Sequence, residues 1–164
     1  MGQTPCVNGM AGGFPCENVD LLSVMDMSEA GGGSNMNDIW GWTDPTDSTE
    51  YVLLGRSNGT SFIDISDPIN PVLIADLPTQ TTSSLWRDIK VHDNHAFIVA
   101  EAGGHGMQVV DLSQLAGIEN PPVTIQADTV YTGFGNAHNI VVNESTGRAY
   151  GVGTSTFDGG LHIV

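Results

Sequence analysis

Seven polar residues of this chain have side chains suited to chemistry: Asp38, Arg87, Asp88, Glu101, His105, His138 and Asn139. Two histidines can pass protons or, when neutral, ligate a metal, and an arginine beside them can hold an anionic group. His138 and His105 are thus the candidates for acid/base or metal-binding work, with Arg87 as the anion holder. All seven are candidates for contacting a ligand. Asp38 and Asp88 carry a plainer reading too, because each opens a similar stretch. A carboxylate repeated at equivalent positions serves well as an acceptor for backbone N–H groups. His105 lies in Gly103-Gly104-His105-Gly106, a flexible frame that gives little packing reason for a histidine. His92, His95 and His162 read as turn or strand residues, and Trp40, Trp42 and Trp86 as packing residues. The familiar catalytic patterns (GxSxG, HExxH, a P-loop, GxGxxG after a strand) do not occur. The acidic turn Asp44-Pro45-Thr46-Asp47-Ser48-Thr49-Glu50 lacks the spacing and central glycine of an EF-hand. Calcium or another divalent cation stays open as a cofactor, and no metal ligand set is assigned.

The elements that position these residues come from a repeat. Asn37-Asp38-Ile39-Trp40, Arg87-Asp88-Ile89-Lys90 and His138-Asn139-Ile140-Val141 begin three similar stretches, with the isoleucines 50 and 51 residues apart. Each continues through an apolar run (51–55, 96–100, 149–153) and a third run beginning at Gly59, Gly106 or Gly160. A period of about 40–50 residues carrying several short strands is the mark of propeller blades. The expected strands are about 38–42, 50–54, 60–65 and 72–77 in the first repeat. In the second they are 88–91, 95–99, 107–112 and a segment within 123–128. The third has 139–142, 148–152 and 160–164. Pro68 and Pro71 forbid strand continuation between the third and fourth runs of the first repeat.

The expected fold is therefore all-β, a partial β-propeller of about three blades at 37–77, 87–128 and 138–164, the last truncated. Residues 1–36 lack the repeat and read as a cap or tether, with one or two helical turns between Glu17 and Ser28. In such a topology the starts of the innermost strands and the loops joining second to third strands share one mouth of the ring. All seven candidates fall there. Four blades is about the minimum for closure, so the rest of the same propeller, or another chain, is expected to complete the ring, and this piece alone to associate or be marginally stable.

Composition narrows the partners. Four Lys+Arg stand against 19 Asp+Glu, a formal net charge of −15 at pH 7, which repels nucleic-acid phosphates and anionic membranes. No apolar run approaches the ~18 residues of a spanning helix. Cys6 and Cys16 flank a Gly-rich loop that can bring the thiols together, and the segment offers no histidine to make a zinc site. A disulfide is the favoured reading, which places the protein in an oxidising compartment; two free thiols are the alternative. Met1-Gly2-Gln3-Thr4 has neither the basic start nor the apolar core of a signal peptide, and the third repeat breaks off at Val164. The chain reads as a fragment of a longer protein.

Residues 59–72, Gly-Thr-Ser-Phe-Ile-Asp-Ile-Ser-Asp-Pro-Ile-Asn-Pro-Val, resemble the LVIVD repeat of bacterial and archaeal surface proteins. Further motifs, among them Cys6-Val7-Asn8-Gly9-Met10-Ala11-Gly12, Asn37-Asp38-Ile39-Trp40-Gly41-Trp42, Glu101 to Gln108 and Ala137-His138-Asn139-Ile140, resemble the choice-of-anchor B family. The resemblance spans nearly the whole chain. It implies secretion and attachment at the cell surface, and no particular activity. The leading expectation is an extracellular or cell-surface module that binds a partner, glycan or ion at one mouth without catalysis. The alternatives are a secreted hydrolase or lyase with a His/Asp/Arg site at that mouth, and a purely structural scaffold.

Overall fold

The computed structural model describes residues 3–164; the first two residues of the 1–36 segment lie outside it. The chain is all-β, with no α-helix among the described residues. After a two-stranded hairpin (β1, Met10–Ala11; β2, Phe14–Pro15) come three larger sheets. β3 (Met36–Thr43), β4 (Glu50–Arg56), β5 (Gly59–Asp64) and β6 (Val72–Pro78) form an antiparallel meander. β7 (Arg87–His92), β8 (His95–Ala100) and β9 (Met107–Asp111) form the second. Two short strands follow, β10 (Val123–Thr124) and β11 (Thr129–Tyr131), and only β11 extends the second sheet. The third is β12 (Asn139–Asn143), β13 (Arg148–Val152) and β14 (His162–Ile163).

Two differences from the sequence reading are instructive. The fourth strand of the second sheet is Thr129–Tyr131, not a segment within 123–128. Val123–Thr124 instead crosses back to pair in parallel with Ala75–Asp76 of β6, so the first sheet gains a fifth strand at its outer edge. The helical turns expected between Glu17 and Ser28 are absent: Leu21 bridges Thr4, and Val19, Leu22 and Val24 are exposed. An apolar face with nothing to pack on cannot hold a short helix in water.

Alternation on each strand builds two cores. One face of the first sheet (Tyr51, Leu53, Phe62, Leu77) packs on Ile89, Ile98 and Val110 of the second. The other face of the second (Val99, Met107) packs on Phe134, Ala137 and Ile140. The leading strands β3, β7 and β12 are neighbours in that order. The outward faces at the two ends remain apolar and exposed, at Ile39 on β3 and at Val141, Val152 and Ile163 on the third sheet.

The N-terminal segment is tied down in two ways. Cys6 and Cys16 are bonded to each other, closing a loop of sequence separation 10. Arg56, fully buried, donates to the carbonyls of Gly31 and Gly32 and ion-pairs with Asp76, while Ser61 donates to the Ala30 carbonyl. The glycines are required there. Gly33 has φ +100°, and a Cβ on it would meet Asn58 Oδ1 at 2.7 Å.

Candidate functional site

The antiparallel registers bring the starts of β3, β7 and β12 to the same end as the loops that follow Arg56, Ala100 and Val152. The hairpin turns lie at the opposite end. All seven candidate residues stand at the first end, and they divide into three groups by what their side chains touch.

Asp38 and Asp88 face backbone. Asp38 Oδ2 accepts the Ile89 N–H at 2.7 Å, and Asp88 Oδ2 accepts the Ile140 N–H at 2.6 Å. Each carboxylate thus reaches from one leading strand to the next at the same register position. Asn139, which holds that position in the third sheet, donates Nδ2 to Asp88 at 3.2 Å. Lys90 ion-pairs with Asp88 and lies over the Trp40 ring, 4.6 Å from its centroid. Burial and the neighbouring Asp88 charge raise the Asp38 pKa, against two backbone N–H bonds. Burial pushes Asp88 up as well, but the Lys90 ammonium and the Ile140 N–H outweigh it and leave the group below its ordinary value.

Arg87 and His105 form a buried pair. The Arg87 guanidinium donates to the Arg56 carbonyl (3.1 Å), to Thr79 Oγ1 (2.9 Å) and to His105 Nε2 (2.9 Å). Guanidinium nitrogens only donate, so His105 Nε2 accepts and its proton sits on Nδ1, which donates to the Gly106 carbonyl at 3.0 Å. Burial, then the Arg87 charge, depresses His105 to about 4, and burial takes Arg87 down to about 10. The guanidinium and the imidazole both find their partners inside the fold. Of the glycines around His105, Gly106 serves close packing: a Cβ on it would lie 2.4 Å from the Tyr131 carbonyl oxygen. The Arg87 and His105 side chains are not presented to solvent.

Glu101 and His138 form an exposed pair. Glu101 Oε1 and His138 Nδ1 are in direct contact, with side chains 38% and 52% exposed. They are anchored from below by the Glu101 N–H to the Trp86 carbonyl (3.3 Å), Ala137 N–H to the Ala100 carbonyl (3.1 Å), and His138 N–H to the Val152 carbonyl (2.9 Å). Trp86, whose backbone carbonyl accepts the Glu101 N–H, is 54% exposed. The sequence reading treats the three tryptophans alike, as packing residues. Only Trp42 is fully so, buried and stacked on Tyr51 with centroids 5.4 Å apart.

The structure therefore brings Arg87 to His105 and Glu101 to His138, but it does not join the two pairs into one catalytic constellation. Among the described residues no three His, Cys, Asp or Glu side chains cluster so as to hold a metal ion. His162, read from sequence as a strand residue, is a packing hub: its ring nitrogens contact Tyr131 Oη (2.9 Å) and Thr156 Oγ1 (3.0 Å), with Phe134 and Phe157 against its ring. A cleft of about 590 Å³ lies elsewhere, between Ser23–Met25 and Ile69–Leu73. No helix among the described residues is long and apolar enough to cross a membrane. Comparison of the chain with protein-family models, with curated proteins and with solved structures returns no match.

Proposed function

We propose that this chain is part of an extracellular or cell-surface β-propeller that binds a ligand at one mouth without transforming it. The carrying observation is the division of the polar residues at that end. Asp38, Asp88, Arg87 and His105 spend their hydrogen bonds inside the fold, while Glu101 and His138 face solvent on a rigid base. A recognition surface needs exposed, oriented polar groups. Glu101 and His138 touch each other, and among the described residues no third His, Cys, Asp or Glu side chain gathers with them as a metal-holding group. The propeller reading is supported by three antiparallel sheets whose leading strands follow one another, linked by a repeated aspartate contact. The exposed apolar faces at Ile39 and at Val141, Val152 and Ile163 support completion of the ring by further sheets of the same kind. The disulfide supports the location. The motifs resembling LVIVD-repeat and choice-of-anchor B proteins support surface attachment.

The exposed carboxylate–imidazole contact also favours a second reading, a secreted hydrolase or lyase in which His138 moves a proton and Glu101 orients it. The test is a turnover screen with ester and glycan substrates alongside equilibrium binding, on the native protein and on His138→Ala. Binding lost in the variant, with no turnover in either protein, supports the binding module. Turnover that His138→Ala abolishes overturns it in favour of the enzyme.

A further inference from the structure

We propose that the two exposed sheet ends of this chain are halves of one contact, through which a second copy docks head to tail and completes the ring. In that contact the Ile39 end of one copy sits on the Asn139 and Val141 end of the other. This rests on the propeller reading above, independently of any ligand, and names the partner.

The same contact is made twice within the chain. The Ile89 N–H is bonded by Asp88 of its own strand at 3.1 Å and by Asp38 of the preceding sheet at 2.7 Å. Ile140 takes Asp88 of the preceding sheet in the same way. Ile39 holds that position in β3. Its N–H has the adjacent Asp38 carboxylate and, among the described residues, no acceptor from another sheet. At the far end Asn139 stands where Asp38 and Asp88 stand. Its Nδ2 donates to Asp88, and among the described residues its Oδ1 receives no hydrogen bond. One end lacks an acceptor and the other has one unused.

The apolar surroundings match in the same sense, because directly paired residues of a ladder share a face. On the second sheet Asp88 pairs with Val99 and Phe97 with Val109, and that face carries the third sheet. On the third sheet those positions are Asn139 with Val152 and Tyr150 with Ile163, and there Val152 and Ile163 are exposed. The third sheet meets the second through Ile140, Val142 and Ala149. On the first sheet those positions are Ile39, Gly41 and Val52, which with Trp40 line an open apolar hollow of about 480 Å³. The N-terminal segment covers only the β5 side of this face, where Ser61 bonds the Ala30 carbonyl, and leaves β3 open.

A second copy brings both missing halves at once: its Asn139 for this chain's Ile39, and its Ile39 for this chain's Asn139. An unrelated sheet brings one at most. Two copies supply six sheets, inside the range of roughly four to eight at which propellers close. The charge of −15 on each copy opposes the approach, so association strengthens with salt.

Sedimentation equilibrium of the native chain over a concentration series, in low and high salt, tests this. Expected is a reversible dimer of twice 17.3 kDa that tightens with salt. Ile39→Lys and Val141→Lys leave the circular dichroism spectrum unchanged, since both side chains are exposed. Each weakens the dimer at least about tenfold by burying an unpaired ammonium. An equimolar mixture of the two variants regains a dimer, because the native third sheet of one meets the native first sheet of the other. A dimer that either variant alone retains, or that the mixture fails to regain, overturns the head-to-tail contact. Growth past two copies overturns closure by six sheets. A native chain that stays monomeric overturns the second copy as occupant. Ring completion by other sheets then stands if the hydrophobic dye ANS binds the native chain and binds less to both variants, and it falls too if ANS does not bind.

Discussion

Asp88 Oδ2 lies 2.6 Å from the Ile140 backbone nitrogen, 52 residues further along the chain and in the next sheet. Asp38 makes the same contact with Ile89 at 2.7 Å. One carboxylate thereby fixes the register between two sheets whose own ladders are independent. Charge-assisted bonds of this kind are worth about 1.5–3 kcal/mol each.

Asp88→Ala should lower unfolding free energy by about 3 kcal/mol, more than Asp38→Ala. The difference arises because Asp88 also holds Lys90 and the Asn139 amide. Urea unfolding of the two variants, followed by fluorescence, gives the comparison. Equal, small losses would remove the cross-sheet role.

Arg87→Lys should destabilise almost as much as Arg87→Ala, by about 3 kcal/mol. A lysine ammonium cannot reproduce three donors splayed toward the Arg56 carbonyl, Thr79 and His105. His138→Ala, by contrast, should leave the melting temperature nearly unchanged, since the side chain is half exposed. This separates two residues that the sequence reading places together at one mouth.

His105 makes stability depend on pH. Its pKa falls from 6.5 to about 4 on folding, so between those values the unfolded chain binds more protons than the folded one. Stability therefore rises with pH across that window and is lost as pH falls from 6.5 toward 4. The difference corresponds to ~3 kcal/mol. Unfolding free energies at pH 7 and 4.5 should differ accordingly, and His105→Gln should flatten the slope while lowering stability at pH 7.

Reduction should act locally. The Cys6–Cys16 bond closes a short loop and contributes about 3 kcal/mol to the N-terminal segment on a chain-entropy basis. Alkylation of unreduced protein should label no thiol in the mass spectrum. In Cys6→Ala/Cys16→Ala, hydrogen exchange should speed up before Gly31 and change little in β4, where Arg56 and its neighbours keep their own contacts.

Strands β3 to β9, β12 and β13 were legible because alternation and turn residues are local signals: Tyr51, Leu53 and the Asp44-Pro45 turn need no distant partner to be read. β10 and β11 were not. Val123 belongs to the first sheet only because Ala75 offers it an edge, and nothing near Val123 encodes that. The aspartate contacts were legible from repetition. Burial of His105 was not, since a histidine among glycines looks mobile until the Tyr131 backbone is seen pressed against Gly106. Exposure of Trp86 was not legible either, because residue type alone favours packing and the exposure depends on where β7 begins.

The return of Val123–Thr124 to β6 has a consequence for synthesis on the ribosome. Ala75 and Val123 are 48 positions apart, so the outer edge of the first sheet stays unpaired until nearly all of the second has left the exit tunnel. That edge is the hazardous one during translation, because an open strand will accept any passing partner. Emergence of the second repeat thus does two jobs, supplying the hydrophobic face that the first requires and then sealing its flank. A nascent chain stalled before residue 123 should be markedly more prone to aggregate than one released only a few residues later.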